Sequence, residues 1–97
     1  MERLYVVVRS DLSTGLQLAQ ACHATRLFGQ LFPSEEVGEN LVVLHAASKF
    51  ELAHITERVG SLCRVAEFRE PDLDNELTAI AFSGLARKLV STLPLAA

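Results

Sequence analysis

The run Leu4-Tyr5-Val6-Val7-Val8 is the strongest constraint on what this chain can become. It is apolar without alternation and rich in β-branched side chains. Such a run suits a strand covered on both faces, which requires a sheet flanked by helices. Leu41-Val42-Val43-Leu44 is a second run of the same kind. The stretch between them reads as a helix. Asp11, Ser13 or Thr14 can cap its start. Leu16, Ala19, Leu27, Phe28 and Leu31 form an apolar stripe, with Ala21, Cys22 and Ala24 as small packing contacts. Gln20, His23 and Gln30 share another face, and Pro33 ends the helix.

The second half repeats the logic. Ser48-Lys49-Phe50-Glu51 has the form of a capping box, with serine and glutamate three apart. It opens a helix with a buried stripe of Leu52, Ile55, Val59 and Leu62, and Gly60 suits its C-terminal end. Arg64 to Arg69 alternates polar and apolar as a strand does. Glu70 to Asn75 is rich in turn residues, and Leu77 to Phe82 is a further strand. After Ser83-Gly84, Leu85, Leu89, Val90 and Leu93 line one side of a short helix that Pro94 stops; the tail beyond is expected to fray. The order is β-α-β-α-β-β-α. The first two helices are long enough to be right-handed crossovers between parallel strands. The link before the last strand is too short for one, so that strand runs antiparallel. The expected fold class is α/β: a four-stranded mixed sheet, mostly parallel with the last strand antiparallel, and helices on both faces.

Composition narrows the function. At 97 residues, 49% hydrophobic and 22% charged, the expectation is one folded domain over 1–97 that buries roughly 60–65% of its unfolded surface. No apolar run approaches the ~20 residues of a membrane span, and Met1-Glu2-Arg3 does not open like a signal peptide, so no membrane partner and a cytoplasmic location are expected. Cys22 and Cys63 lie far apart without metal-ligand spacing and read as reduced, largely buried thiols. The formal charge of −3 argues against a broad nucleic-acid surface while allowing a local basic patch.

Val7-Val8-Arg9-Ser10-Asp11-Leu12, the helix segment Leu18-Ala19-Gln20-Ala21-Cys22-His23-Ala24, the strand Leu41-Val42-Val43-Leu44 and the later Thr78-Ala79-Ile80-Ala81 together resemble the type 2 peptidyl-tRNA hydrolases. That family shows Arg-x-Asp-Leu after its first strand, an Ala-Ala-Gln-Cys-x-His-Ala-like helix and a threonine-led last strand. The resemblance covers nearly the whole chain in order and implies a four-stranded mixed sheet flanked by helices. It departs in two places. The family's lysines ahead of the helix segment have no counterpart in Ser13-Thr14-Gly15-Leu16, and its Asp-Ala-Gly-x-Thr segment is compressed here to Glu70 through Thr78.

The resemblance implies hydrolysis of the ester bond of peptidyl- or N-acyl-aminoacyl-tRNA. That chemistry needs an activated water, a stabilised oxyanion and a grip on the acceptor end of tRNA. The candidate catalytic residues are Asp11, Gln20, His23, Glu70 or Asp72, and Thr78, with Thr14 as a further donor. Arg9 and Arg69, at strand ends, are the candidate tRNA-phosphate contacts. No cofactor and no metal are expected. The acidic run Glu67, Glu70, Asp72, Asp74 and Glu76 reads as a solvated turn, and His45 and His54 as structural or surface residues. The alternative is a non-catalytic relative that keeps the fold as a binding or dimerising module, with a homodimer as its partner state. The missing lysine and glycine favour this alternative; the retained Asp11, Gln20, His23, Glu70 or Asp72, and Thr78 favour the enzyme.

Overall fold

The computed structural model describes residues 2–96. Its elements are β1 (Glu2–Arg9), α1 (Thr14–Leu31), β2 (Val37–Ala46), α2 (Lys49–Gly60), β3 (Val65–Glu70), β4 (Glu76–Ser83) and the short α3 (Arg87–Val90). A 3-10 turn, Pro71–Leu73, precedes β4, and another, Gly84–Ala86, leads into α3.

The strands form one mixed sheet in the order β2-β1-β4-β3. β1 and β2 are parallel, aligned from Leu4 opposite Leu41 to Arg9 opposite Ala46. β4 is antiparallel to both of its neighbours, β1 and β3. The expected α/β class and mixed sheet are present, but the expected mostly parallel pairing is corrected: two of the three strand interfaces are antiparallel. The cause is where the last strand goes. The short link after β3 turns the chain back, and β4 enters the gap between β1 and β3. Asp74 and Asn75 make that return in the left-handed region, at φ 54° and 59°. Among non-glycine residues, Asp and Asn tolerate this best.

Helices cover both faces. Ala24 and Phe28 of α1 pack on Leu4, Val6, Val8, Ala66, Ala79 and Ala81. Leu52, Ile55 and Val59 of α2, with Val90 of α3, pack on Val7, Leu44, Ile80 and Phe82. β1 is therefore buried on both faces, as its run predicts. β2, with the same apolar character, is an edge strand, and Leu41 is half exposed. The buried stripe of α1 is Gln20, Ala24 and Phe28, four residues apart, whereas Ala19 and Leu31 face outward. Leu62 and Leu85, expected to be inside, are exposed. Ser13 caps α1, accepting from the Leu16 amide, and Ser48 caps α2 through the Glu51 amide. Glu51 reaches back to the Ala47 amide, one residue beyond the expected capping-box partner. Cys22 is exposed and Cys63 half-buried, and both are free thiols. Burial, aided by Glu35, pushes the Cys63 thiol above its ordinary value. No helix is long and apolar enough to cross a membrane among the described residues.

The tail is paired as far as Ala96, against the expected fraying; Ala97 lies outside the described residues. Leu95 bridges Leu44 in antiparallel sense, the His45 amide donates to the Pro94 carbonyl at 2.8 Å, and the Ala96 amide donates to the Val43 carbonyl at 2.9 Å. The tail thus covers part of the β2 edge, a standard protection for an open strand. Truncation after Leu93 is expected to increase amide hydrogen exchange at His45 at least tenfold while leaving Val7 protected. Unchanged exchange at His45 would show that the tail does not close this edge.

Candidate functional site

The strand ends bring the expected residues into two groups on opposite faces of the sheet. The first is built on Arg9, the last residue of β1, which is 6% exposed. Its Nε and Nη2 donate to the two carboxylate oxygens of Asp11 at 3.0 and 2.8 Å. Its Nη1 donates to Glu76 Oε1 at 2.8 Å and to the Leu77 carbonyl at 3.3 Å. Lys49, at the start of α2, reaches the other Glu76 oxygen at 3.4 Å. The bidentate pair is the strong form of this contact. It raises the Arg9 guanidinium above its ordinary value and holds the Asp11 carboxyl below the usual carboxylate range. The hydrogen bond from Arg9, with help from Lys49, lowers Glu76 in the same way.

This corrects two expectations. Arg9 is committed to two carboxylates and a carbonyl inside the fold, so it is not a free phosphate contact. Asp11 neither caps α1 nor joins the residues around Thr78; it is the partner that makes burial of Arg9 tolerable. Glu76, expected to belong to a solvated turn, starts β4 and is the third member of this lock.

The second group lies under α1. Gln20 and Thr78 are 1% and 0% exposed, and Thr78 Oγ1 donates to Gln20 Oε1 at 2.6 Å. The Phe68 carbonyl is 3.3 Å from the same hydroxyl. A bulge places Thr78 there. Phe68 pairs with Ala79 and Arg69 with Leu77, which leaves Thr78 as the extra residue of β4. One turn beyond Gln20, the exposed His23 ring stacks on Phe68, with centroids 4.7 Å apart. Gln20, His23 and Thr78 are therefore together.

The two acids differ. Strand alternation places Glu70 on the α1 face with Ala66 and Phe68, and Glu70 is half-buried. Asp72 lies exposed in the 3-10 turn. Glu67 and Arg69 face the other side, where they pair at 3.3 Å and line a groove against α2 with Ala53 and Thr56. Arg69 is thus separated by the sheet from His23 and Thr78. Among the described residues, no group of three or more His, Cys, Asp or Glu is placed to hold a metal ion.

One pair escaped the sequence reading. His45 Nε2 and Gln17 Oε1 are 2.7 Å apart, and Gln17 Nε2 donates to the Leu12 carbonyl at 2.7 Å and to that of Ser10 at 3.4 Å. Thr14 stands beside them in the wall of a cavity of about 180 Å³. Separated by 28 residues, Gln17 and His45 carry no local motif. Aligning the two apolar runs in parallel would have set His45 opposite Val8, where it is found.

Two predictions test these groups. Thr78→Val leaves a buried amide oxygen without its donor and should cost about 1–3 kcal/mol of stability, whereas Thr78→Val with Gln20→Leu should recover most of that loss. Denaturant unfolding of both variants measures it, and additive losses would deny the coupling. For the Arg9 lock, the folded values of Asp11 and Glu76 lie below their ordinary ones. Their contribution to stability is therefore present above the ordinary carboxylate range, about pH 4, and is lost as pH falls through the folded values. Arg9→Met should lower the melting temperature by about 10 °C at pH 7. The gap to the parent should narrow below about pH 4. A gap that stays constant to pH 2 would remove the carboxylates from the argument.

No family model matches the chain, and no curated protein matches it. Among solved structures it is similar to a protein of unknown function from Agrobacterium tumefaciens strain C58, with 11% identity over 99% of this chain and 98% of that one, and a TM-score of 0.70. At that identity the likeness establishes a shared fold and nothing about chemistry.

Proposed function

We propose that this chain is a divergent type 2 peptidyl-tRNA hydrolase-like domain that cleaves the ester of peptidyl- or N-acyl-aminoacyl-tRNA. The observation that carries the reading is the meeting of Gln20, His23 and Thr78 around Phe68, with Glu70 on the same face of β3. These residues come from α1, β3 and β4, and they are among those that the family resemblance marks.

The roles divide by exposure. Gln20 and Thr78 are buried and serve as positioning residues that fix the end of β3 against α1. His23 and Glu70 meet solvent. Glu70 is the acid that orients the attacking water, and His23 donates to the developing oxyanion. Asp72, in the exposed turn, has no part. With Arg9 committed and Arg69 on the far face, the acceptor-end phosphate falls to Arg26. It is exposed on α1 three residues beyond His23, on the same side of the helix.

A second reading, a non-catalytic binding module, is favoured by one observation: the loop between β1 and α1 holds no lysine, and the nearby Arg9 is locked. A single assay separates the two. Purified protein should release N-acetylated amino acid from N-acetyl-aminoacyl-tRNA. Glu70→Gln should lower kcat by about two orders of magnitude or more. Asp72→Asn should leave kcat unchanged, and Arg26→Ala should raise KM with little effect on kcat. An equally active Glu70→Gln protein would overturn the assignment of the acid. Binding of the tRNA without turnover would establish the second reading.

A further inference from the structure

We infer that the cavity between α1 and the C-terminal ends of β1 and β2 is a binding subsite for an N-acylated aliphatic amino-acid residue, with His45 accepting a hydrogen bond from its amide. Identification with the acylated end of the substrate rests on the hydrolase reading above; the cavity and the His45 geometry do not.

The position comes from the topology. After β1 the chain passes to α1 on one face, and after the adjacent β2 it passes to α2 on the other. Neighbouring parallel strands whose helices depart to opposite faces leave a crevice at their carboxyl ends, where ligands of open α/β sheets bind. Here Ser10 closes part of it, its amide donating to the Ala46 carbonyl at 2.8 Å. The remaining space opens under α1. Val8, Leu18, Val43 and Ala96 give it apolar lining, and Thr14, Gln17 and His45 polar lining. A volume of about 180 Å³ accommodates one aliphatic side chain. Leu18, 66% exposed, is an apolar wall that such a side chain would cover.

The polar lining has a defined orientation. Both donor contacts of Gln17 go to carbonyl oxygens, those of Leu12 and Ser10, so its amide oxygen must be the atom facing His45. Turning the amide over would set oxygen against oxygen at 2.7 Å. In the neutral form of the imidazole this contact fixes the proton on Nε2 and leaves a lone pair on Nδ1. Nδ1 makes no hydrogen bond among the described residues, and it is not a buried orphan, so it faces solvent as an acceptor. A largely apolar cavity lined by an imidazole with a free acceptor nitrogen suits an aliphatic side chain next to a neutral N–H donor. Such a unit is an acylated amino-acid residue.

Heteronuclear NMR on the whole chain tests this without turnover. Two-bond nitrogen–proton correlations should show His45 with bare Nδ1, and Gln17→Leu should abolish that preference; a protonated Nδ1 would overturn the His45 geometry. N-acetyl-leucine methylamide should give saturable shifts at Thr14, Leu18, Val43 and His45, with a dissociation constant on the order of millimolar. N-acetyl-glycine methylamide, lacking the side chain, should bind roughly tenfold or more weakly. His45→Phe should weaken the leucine probe severalfold. So should Leu18→Ser, a surface change that does not depend on the hydrogen-bond network. Equal binding of both probes, or shifts elsewhere, such as around Tyr5 and Leu93, would overturn the subsite. Hydrolysis of N-acetyl-aminoacyl-tRNA without probe binding would overturn the subsite and leave the hydrolase reading standing. Probe binding without hydrolysis would support the subsite and count against the hydrolase.

Discussion

The rest of the structure depends on keeping one buried guanidinium paired. Arg9 ends the central strand β1 almost completely out of water, and an unpaired charge there would be strongly destabilising. Asp11 and Glu76 meet that demand from two sides. Asp11 ties Arg9 to the loop that leads from β1 to α1. Glu76 fixes the start of β4 beside β1, and through Lys49 it also holds the first turn of α2. The interaction joins segments far apart in sequence at the edge of the sheet where the chain must choose its topology.

The same interaction decides what that edge can do. A cation at the end of β1 would be the natural phosphate contact in a tRNA-binding reading, but four of its five N–H donors are already committed inside the fold. Functional possibilities therefore move to the α1 face, where three features meet. The Thr78 bulge turns a hydroxyl toward Gln20. Phe68 carries the His23 ring. Glu70 follows at the strand end. Glu70 and Glu76 are register partners in the β3–β4 ladder. Glu76 is paired with Arg9 and Lys49, whereas Glu70 has no ion pair among the described residues.

Periodicity was informative about elements and about the buried face of α2, where Leu52, Ile55 and Val59 lie inside, and poorer on the face of α1. The continuous Leu4–Val8 run announced a strand buried on both sides, and the box at Ser48 and Glu51 announced the start of α2. The stripe of α1 was misread because a polar residue occupies its centre. Gln20 is buried through a hydrogen bond to a residue 58 positions away, and hydrophobic spacing cannot register such a partner. β2 was misread for the opposite reason. Its apolar side chains look interior, yet it is a sheet edge, covered in part by the tail that pairs with Val43, Leu44 and His45.

The order of elements, the helices on both faces and the turn that reverses the chain before β4 follow from local period, caps and turn chemistry, which act over a few residues. Where β4 inserts, and with it the predominance of antiparallel pairing, is settled by long-range packing. The same packing decides that Arg9 and Asp11 serve each other, that Gln17 orients His45, and that Glu70 rather than Asp72 shares a face with His23. Each of those outcomes depends on which distant side chains can satisfy a buried polar group. That requirement is met only when the sheet is assembled, so no local pattern carries it.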